Sequence, residues 1–165
     1  MNNAPAGIDR TEVTDDLPQE LERRLVLRLL AYWRSVLNGR AFPSFAEIDP
    51  GRIADIWPHC FVVELAGERR EPVFRAFGRD LAMHANASLI GRRVAEAPTD
   101  SLLAVASAQV AEVLDKGVPV SRGGGYPGTN RSTILYRSIL LPMSDDGKSI
   151  NGLLGAVNCR EVPQG

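Results

Sequence analysis

The chain has 165 residues, a formal net charge of −1 and 24% charged residues. This length predicts one domain with its own core, and the near-zero charge excludes a strong field that attracts nucleic acid or an anionic membrane. No stretch approaches the roughly 18 consecutive apolar residues of a membrane-spanning helix, and the N-terminus has no apolar signal segment. We therefore expect a cytoplasmic protein with no nucleic-acid partner and no membrane partner.

The N-terminal region divides into a polar tail and an amphipathic helix. Residues 1–16 have no periodic pattern and are predicted to be a disordered tail. Apolar side chains then recur at helical spacing over 17–38, where Asn38 and Gly39 form a common left-handed stop. This helix is predicted to begin a single domain over 17–160. Its apolar anchors are Leu25, Leu29, Tyr32 and Trp33. Its arginines form either a solvated face or a docking surface for an acidic partner.

The middle of the chain changes from helical to strand periodicity. Asp49 can cap a short helical turn, and Pro50 fits the first position of that turn. Two strands are then predicted, over 60–67 and 72–78. The polar link between them is short, which predicts a hairpin.

The second half of the chain predicts one longer helix and three further strands. The helix follows Asp100, its expected N-cap, and ends at Lys116 and Gly117. The strands are predicted over 118–126, 131–143 and 150–159. Since the strands are segregated from the helices, the fold class is α+β with an antiparallel sheet.

Several short motifs, taken in order, give the chain a family resemblance. They are "YW" at 32–33, "GR" at 39–40 with Pro43, "IDP" at 48–50, "RAFG" at 75–78, "LIG" at 89–91, "RSILLPM" at 137–143 with the following "DDG", and "LLGAV" at 153–157. With them, the chain resembles an alphaproteobacterial single-domain PAS-type family from about residue 29 to 157. The resemblance implies a PAS-like five-stranded antiparallel sheet, with small helices on one face and an N-terminal amphipathic helix.

The same resemblance implies a function. A PAS domain of this kind is expected to be a non-catalytic sensory or regulatory module in bacterial signalling. It would act by binding a small ligand, by protein–protein interaction, or by both. The N-terminal helix is expected to form a homodimer, and a signalling protein is a further possible partner. Two alternatives stay open: a small enzyme with a pocket acid–base residue such as His84, and a scaffold that holds no ligand.

The ligand pocket of a PAS fold lies between the sheet and the small helices. Four polar side chains are candidates for ligand contact: Arg75, His84, Tyr136 and Arg137. Tyr136 and Arg137 are adjacent in one predicted strand, so they point to opposite faces of the sheet. The sequence leaves open which of these faces is the inward one.

The identity of a cofactor is left unknown by the sequence. "NCR" at 158–160 matches a motif of flavin photoreceptors, but there the cysteine lies on a helix, whereas Cys159 falls at the end of the last strand. Haem needs an axial ligand, and the predicted helix over 100–116 has no histidine. We therefore expect neither flavin nor haem. The histidines and cysteines lack metal-site spacing, so no metal site and no catalytic residue is predicted.

Overall fold

The computed structural model describes residues 16–82 and 89–163. Its five strands form one antiparallel sheet in the order β2-β1-β5-β4-β3. The strands are β1 Cys60–Ala66, β2 Glu71–Phe77, β3 Val120–Pro127, β4 Ser132–Met143 and β5 Gly152–Pro163. The helices are α1 Asp16–Ser35, α2 Arg79–Ala82, α3 Leu102–Ala106 and α4 Val110–Lys116. The predicted fold class, an α+β PAS-like sheet with an N-terminal helix, is confirmed.

The sheet separates two apolar clusters. The inner cluster lies between the sheet and the short helices α3 and α4, and the outer cluster lies between the sheet and α1. Strand β4 contributes to both, because its side chains alternate between the faces. Leu140 belongs to the inner cluster, whereas Ile139 and Leu141 belong to the outer one. Tyr136 therefore shares the inward face with Leu140, which answers the question that the sequence left open.

Helix α1 lies across the outer face and contacts both β4 and β5. It ends at Ser35, before the predicted end at residue 38. The backbone continues as a turn, in which the amide of Val36 still donates to the carbonyl of Tyr32. Asn38 and Gly39 then adopt left-handed conformations, with φ of 50° and 79°. The predicted stop signal is therefore in place, but the last regular helical residue comes earlier.

The prediction of one long helix after residue 100 is wrong in two respects. It is broken into α3 and α4, and the hydroxyl of Ser107 at the break donates to the carbonyl of Leu103 at 2.6 Å. A serine inside a helical stretch can compete in this way for the backbone groups of the helix. The N-cap is Ser101, whose Oγ accepts from the amide of Ala104 at 3.2 Å, and not Asp100, which has a φ of 59°.

The predicted caps and boundaries elsewhere differ little from the structure. Asp49 caps the turn at Pro50 as expected, because its Oδ1 accepts from the amide of Gly51 at 3.0 Å. Strand β5 continues to Pro163, beyond the predicted domain end at residue 160. The predicted tail lies outside the described residues, apart from Asp16. Within the described part of the chain, no helix is long and apolar enough to cross a bilayer.

Candidate functional site

The inner face of the sheet, where a PAS ligand was expected, is filled by side chains along its centre. Phe61, Phe74 and Leu103 are each at most 1% exposed. The ring of Phe61 lies directly against Gly155, where a Cβ would come within 2.3 Å of Cζ. The rings of Phe61 and Phe74 meet edge to face, with centroids 6.4 Å apart. These side chains therefore pack the centre of the inner face.

The inner face of the sheet also carries a pair of tyrosines, which lie beside the first half of β4. Tyr136 lies opposite Gly124 of β3 and Cys159 of β5. Its ring packs over Gly124, where a Cβ would be 3.2 Å from the phenol oxygen. Tyr126 lies beside it, with ring centroids 6.3 Å apart. Burial raises the pKa of Tyr126 to about 12 and also raises the pKa of Tyr136. Both phenols are therefore protonated at neutral pH.

Three of the four predicted ligand contacts are described, and these three do not converge on one site. Tyr136 faces the inner cluster, whereas Arg137, the next residue, faces the outer side. Arg75 lies on the edge strand β2, where its guanidinium pairs with the carboxylate of Glu64 on β1. His84 is outside the described residues. Contact of any of these side chains with a ligand stays a prediction.

The histidine and cysteine at the start of β1 do not form a reactive pair. His59 lies with its Nε2 3.4 Å from Oδ2 of Asp80. Cys60 is buried, and its thiol donates to the carbonyl of Ile56 at 3.6 Å. Burial raises the pKa of Cys60 to about 12, so the nucleophilic thiolate is absent at neutral pH. Among the residues that the structure describes, no three metal-binding side chains cluster.

The predicted anchors of the N-terminal helix pack against the domain's own sheet. Leu25, Leu29 and Trp33 are 8%, 0% and 5% exposed and belong to the outer cluster. The indole Nε1 of Trp33 donates to the carbonyl of Pro142 at 3.0 Å. The phenol oxygen of Tyr32 accepts from the backbone amide of Asp49 at 2.8 Å. A dimer contact through α1 would therefore have to use the other side of the helix.

That other side of α1 is exposed and basic. Leu27, at 54% exposure, is a large apolar side chain in contact with solvent. The arginines on the exposed part of the helix are Arg23, Arg24, Arg28 and Arg34. Arg28 pairs with Asp55, with Nη2 3.0 Å from Oδ1, and this hydrogen bonding lowers the pKa of the carboxyl group. We call the surface formed by Leu27 and these arginines the α1 face.

A cleft at one end of the sheet was not predicted. It has a volume of about 420 Å³ and lies where the β1–β2 turn, the β4–β5 turn and the end of α4 meet. Its apolar lining comes from Phe42, Leu65, Leu114 and Ile150, and its charged lining comes from Arg70, Lys116, Lys148 and Asp115. Lys116 and Lys148 are the only lysines in the chain, but nothing in the sequence indicates that they meet. We call this feature the cationic cleft.

The fold and the two covered faces of the sheet define a PAS-type sensory domain. The PAS_5 family model, described as a PAS domain, matches residues 22–158. The match includes most of the chain, so the chain belongs to this family of PAS domains. It is a sensory module of the kind found in signalling. The resemblance seen in the sequence motifs is thereby confirmed at the level of the PAS domain.

Among solved structures, the chain is similar to several light-oxygen-voltage (LOV) domains. A LOV domain studied with a flavin analogue is 13% identical, with 67% of this chain and 82% of that chain covered and a TM-score of 0.47. The Aureochrome1 LOV domain is 12% identical, with coverages of 65% and 84% and a TM-score of 0.44. The Rhodobacter sphaeroides LOV protein is 13% identical, with both coverages 68% and a TM-score of 0.40. These likenesses concern the backbone and carry no argument about a chromophore. Comparison with curated proteins gives no match.

Proposed function

We propose that this PAS domain is a non-catalytic regulator in bacterial signalling, and that it passes its signal to an acidic protein surface that docks on the α1 face. The observation that carries the proposal is the division of α1 into two sides. One side is buried in the domain's own sheet, while the other exposes Leu27 among arginines. Membership of an alphaproteobacterial single-domain family and a cytoplasmic location are part of the same proposal.

The composition of the α1 face favours a protein partner with carboxylates. Interfaces are enriched in arginine, and complementary charge steers the encounter and fixes the orientation of the partner. Leu27 supplies a single apolar contact that such an interface can bury. The same helix is packed on β4 and β5, so a partner bound to its exposed side is connected to these strands through the helix. A small ligand is a possible input to this module, in keeping with its sensory class.

A homodimer through α1 is the second candidate. The exposure of Leu27 favours it, because two copies could bury this side chain against each other. The arginines disfavour it, because an isologous interface would bring like charges together. We therefore place the acidic partner first. An enzymatic role is not part of the proposal, since the buried Cys60 thiol and the Asp80-paired His59 do not form a nucleophile–base pair.

The experiment that tests this function is site-specific photo-crosslinking in the source organism. A photoreactive amino acid replaces Leu27 in one variant and Val118 in a matched control. The two positions have similar exposures, 54% and 48%, and Val118 does not belong to α1. We expect position 27 to capture one defined protein and position 118 not to capture it. If position 27 captures a second copy of the chain, the homodimer replaces the acidic partner.

The captured protein is then purified and its affinity is measured directly. Replacing Arg24 and Arg34 by glutamate is expected to weaken binding about tenfold or more, because two attractive charges become repulsive. The wild-type complex is also expected to weaken as salt increases. A complex that tolerates the charge reversal, or equal capture from both positions, would contradict docking on the α1 face.

A further inference from the structure

We propose that the cationic cleft binds a small anion with an apolar body, namely a carboxylate or phosphate joined to a hydrocarbon or aromatic group. The site lies outside the central inner face, which is packed with Phe61, Phe74 and Leu103. The inference goes beyond the proposed function, because no residue that lines the cleft belongs to α1. Its test needs no protein partner, so either proposal can fail without the other.

Positive charge converges on the cleft from three separate elements. Arg70 comes from the β1–β2 turn, Lys116 from the last turn of α4 and Lys148 from the β4–β5 turn. Asp115 is the one carboxylate that lines the cleft with them. Every other basic side chain of the chain, apart from the two histidines, is an arginine. The fold therefore gathers both of its lysines at a single cavity.

The cations of the cleft keep hydrogen-bond donors for a ligand. Lys116 gives one hydrogen bond to Glu112, with Nζ 3.1 Å from Oε2, and an ammonium has three N–H groups. Arg70 donates from Nη2 to the carbonyl of Ile150, which holds its guanidinium at the cleft. A guanidinium has five N–H groups, so that bond leaves further donors. Both side chains can bind an anion without breaking the bonds that position them.

The cleft also has an apolar lining beside its charges. Ile150 is 9% exposed, and Phe42, Leu65 and Leu114 are partly buried around it. Pockets for small molecules typically measure roughly 300–1,000 Å³ and combine a mostly apolar lining with a few polar groups. The cleft, at about 420 Å³, has this size, and its lining is divided about equally between apolar and charged side chains. A fully polar anion would leave the apolar lining unused, which is why the inferred ligand has an apolar body.

The turn that carries Lys148 is held by its own hydrogen bonds in the absence of a ligand. The carboxylate of Asp146 accepts from the amides of Lys148 at 2.8 Å and Ser149 at 2.9 Å. It also accepts from the hydroxyl of Ser144 at 2.9 Å. The negative charge of Asp146 is thus held by donors of its own turn. A site built on fixed backbone loses less entropy when it binds its ligand.

The test is a titration of the full-length protein with octanoate, followed by the backbone amide signals in two-dimensional nitrogen–proton NMR spectra. Octyl phosphate is titrated separately, to distinguish the two headgroups. Acetate lacks the apolar body and 1-octanol lacks the charge, so these two compounds serve as ligand controls. We expect octanoate or octyl phosphate to give saturable shifts centred on Gly117, Lys148 and Ile150. Acetate and 1-octanol are expected to bind at least about tenfold more weakly, because each loses one of the two kinds of contact.

The matched variants are Lys116→Gln/Lys148→Gln and Arg52→Gln/Arg79→Gln. Each pair removes two positive charges, but neither Arg52 nor Arg79 lines the cleft. The lysine pair is expected to weaken binding about tenfold or more, and the arginine pair less than about twofold. Dispersed spectra of both variants verify that they are folded.

Several outcomes would overturn the proposal. These are the absence of saturable shifts with either anion, equal binding of 1-octanol, and an affinity that the lysine substitutions leave unchanged. A glutamate-rich peptide is added as a last comparison. If that peptide shifts the cleft signals while octanoate and octyl phosphate do not, the cleft binds an acidic protein segment and the inferred small anion is wrong.

Discussion

The two faces of the sheet both bury an apolar cluster, but they are covered in different ways. The inner face is covered by short elements, of which α3 has five residues and α4 has seven. The outer face is covered by α1, a single helix of 20 residues. A continuous helix presents a long outward surface of its own, the α1 face, whereas short helices leave clefts beside their ends. The cationic cleft lies beside the end of α4. The way a core is covered, more than the core itself, determines which surfaces are left for partners.

The largest effect on stability is expected when one buried leucine on each face of the sheet is replaced by alanine. Leu29 of α1 and Leu103 of α3 are 0% and 1% exposed. Replacing either one by alanine is expected to lower the free energy of unfolding by about 2–5 kcal/mol, through lost burial and a residual cavity. Urea denaturation measures both, and similar slopes are expected if the two clusters unfold together. A midpoint unaffected by Leu29→Ala would mean that α1 is not part of the cooperative core.

The next effect concerns the bond that fastens α1 to the sheet. In Trp33→Phe the carbonyl of Pro142 loses its indole donor, and a buried unpaired group costs about 1–3 kcal/mol. The partly exposed Trp57 offers the control Trp57→Phe, which leaves this bond in place. A Trp33→Asp variant is expected to unfold whether or not the protein dimerises, so it cannot test self-association. Equal urea midpoints for the two phenylalanine variants would contradict the importance of the bond.

A smaller effect is expected at the turn beside the cleft, and it depends on pH. Hydrogen bonds from the amides of Ser149 and Lys148 lower the pKa of Asp146 to about 2. A carboxylate with a lowered pKa stabilises the fold above its unfolded value of about 4, and this contribution is lost as the pH falls toward 2. Asp146→Asn is therefore expected to be less stable than the wild type at pH 7. Denaturation at several pH values should show the difference shrinking between about pH 4 and pH 2; a constant difference would contradict it.

The smallest effect on stability is expected on the α1 face. Leu27→Glu should change the free energy of unfolding by no more than about 0.5 kcal/mol, because the side chain is mostly in water. Val118→Glu is the matched control, and thermal denaturation measures both. The two variants should differ in partner binding and not in stability. A large destabilisation by Leu27→Glu would place this residue within the fold instead of on a docking surface.

The motifs that carried the family resemblance turn out to have structural roles, which explains why the fold could be predicted. Gly78, the end of "RAFG", packs so closely that a Cβ would be 2.2 Å from the carbonyl oxygen of Trp57. Gly155, within "LLGAV", leaves room for the ring of Phe61. Gly147 of "DDG" has a φ of 76°. Such local requirements are visible in a sequence because they depend on residue type and spacing.

The candidate sites could not be predicted in the same way, because they depend on which distant segments meet. Arg70, Lys116 and Lys148 come together only when two turns and a helix end are assembled. The direction of Tyr136 depends on the face of β4 that the helices cover, which strand alternation alone leaves undecided. The α1 face was foreseen only as a row of arginines. Only the structure shows that the apolar anchors of this helix pack against the domain's own sheet.

Pro142 at the end of β4 is hydrogen-bonded to the N-terminal helix, and Ser144, just after the strand, is hydrogen-bonded to the segment that follows this helix. The carbonyl of Pro142 accepts from the indole of Trp33, and the amide of Ser144 donates to the carbonyl of Pro43 at 2.8 Å. One attachment lies near the end of α1 and the other lies in the segment that leaves it, next to Phe42 of the cationic cleft. When this strand end moves, both attachments move with it. Helix α1 and the segment that follows it are therefore both tied by hydrogen bonds to the same end of β4.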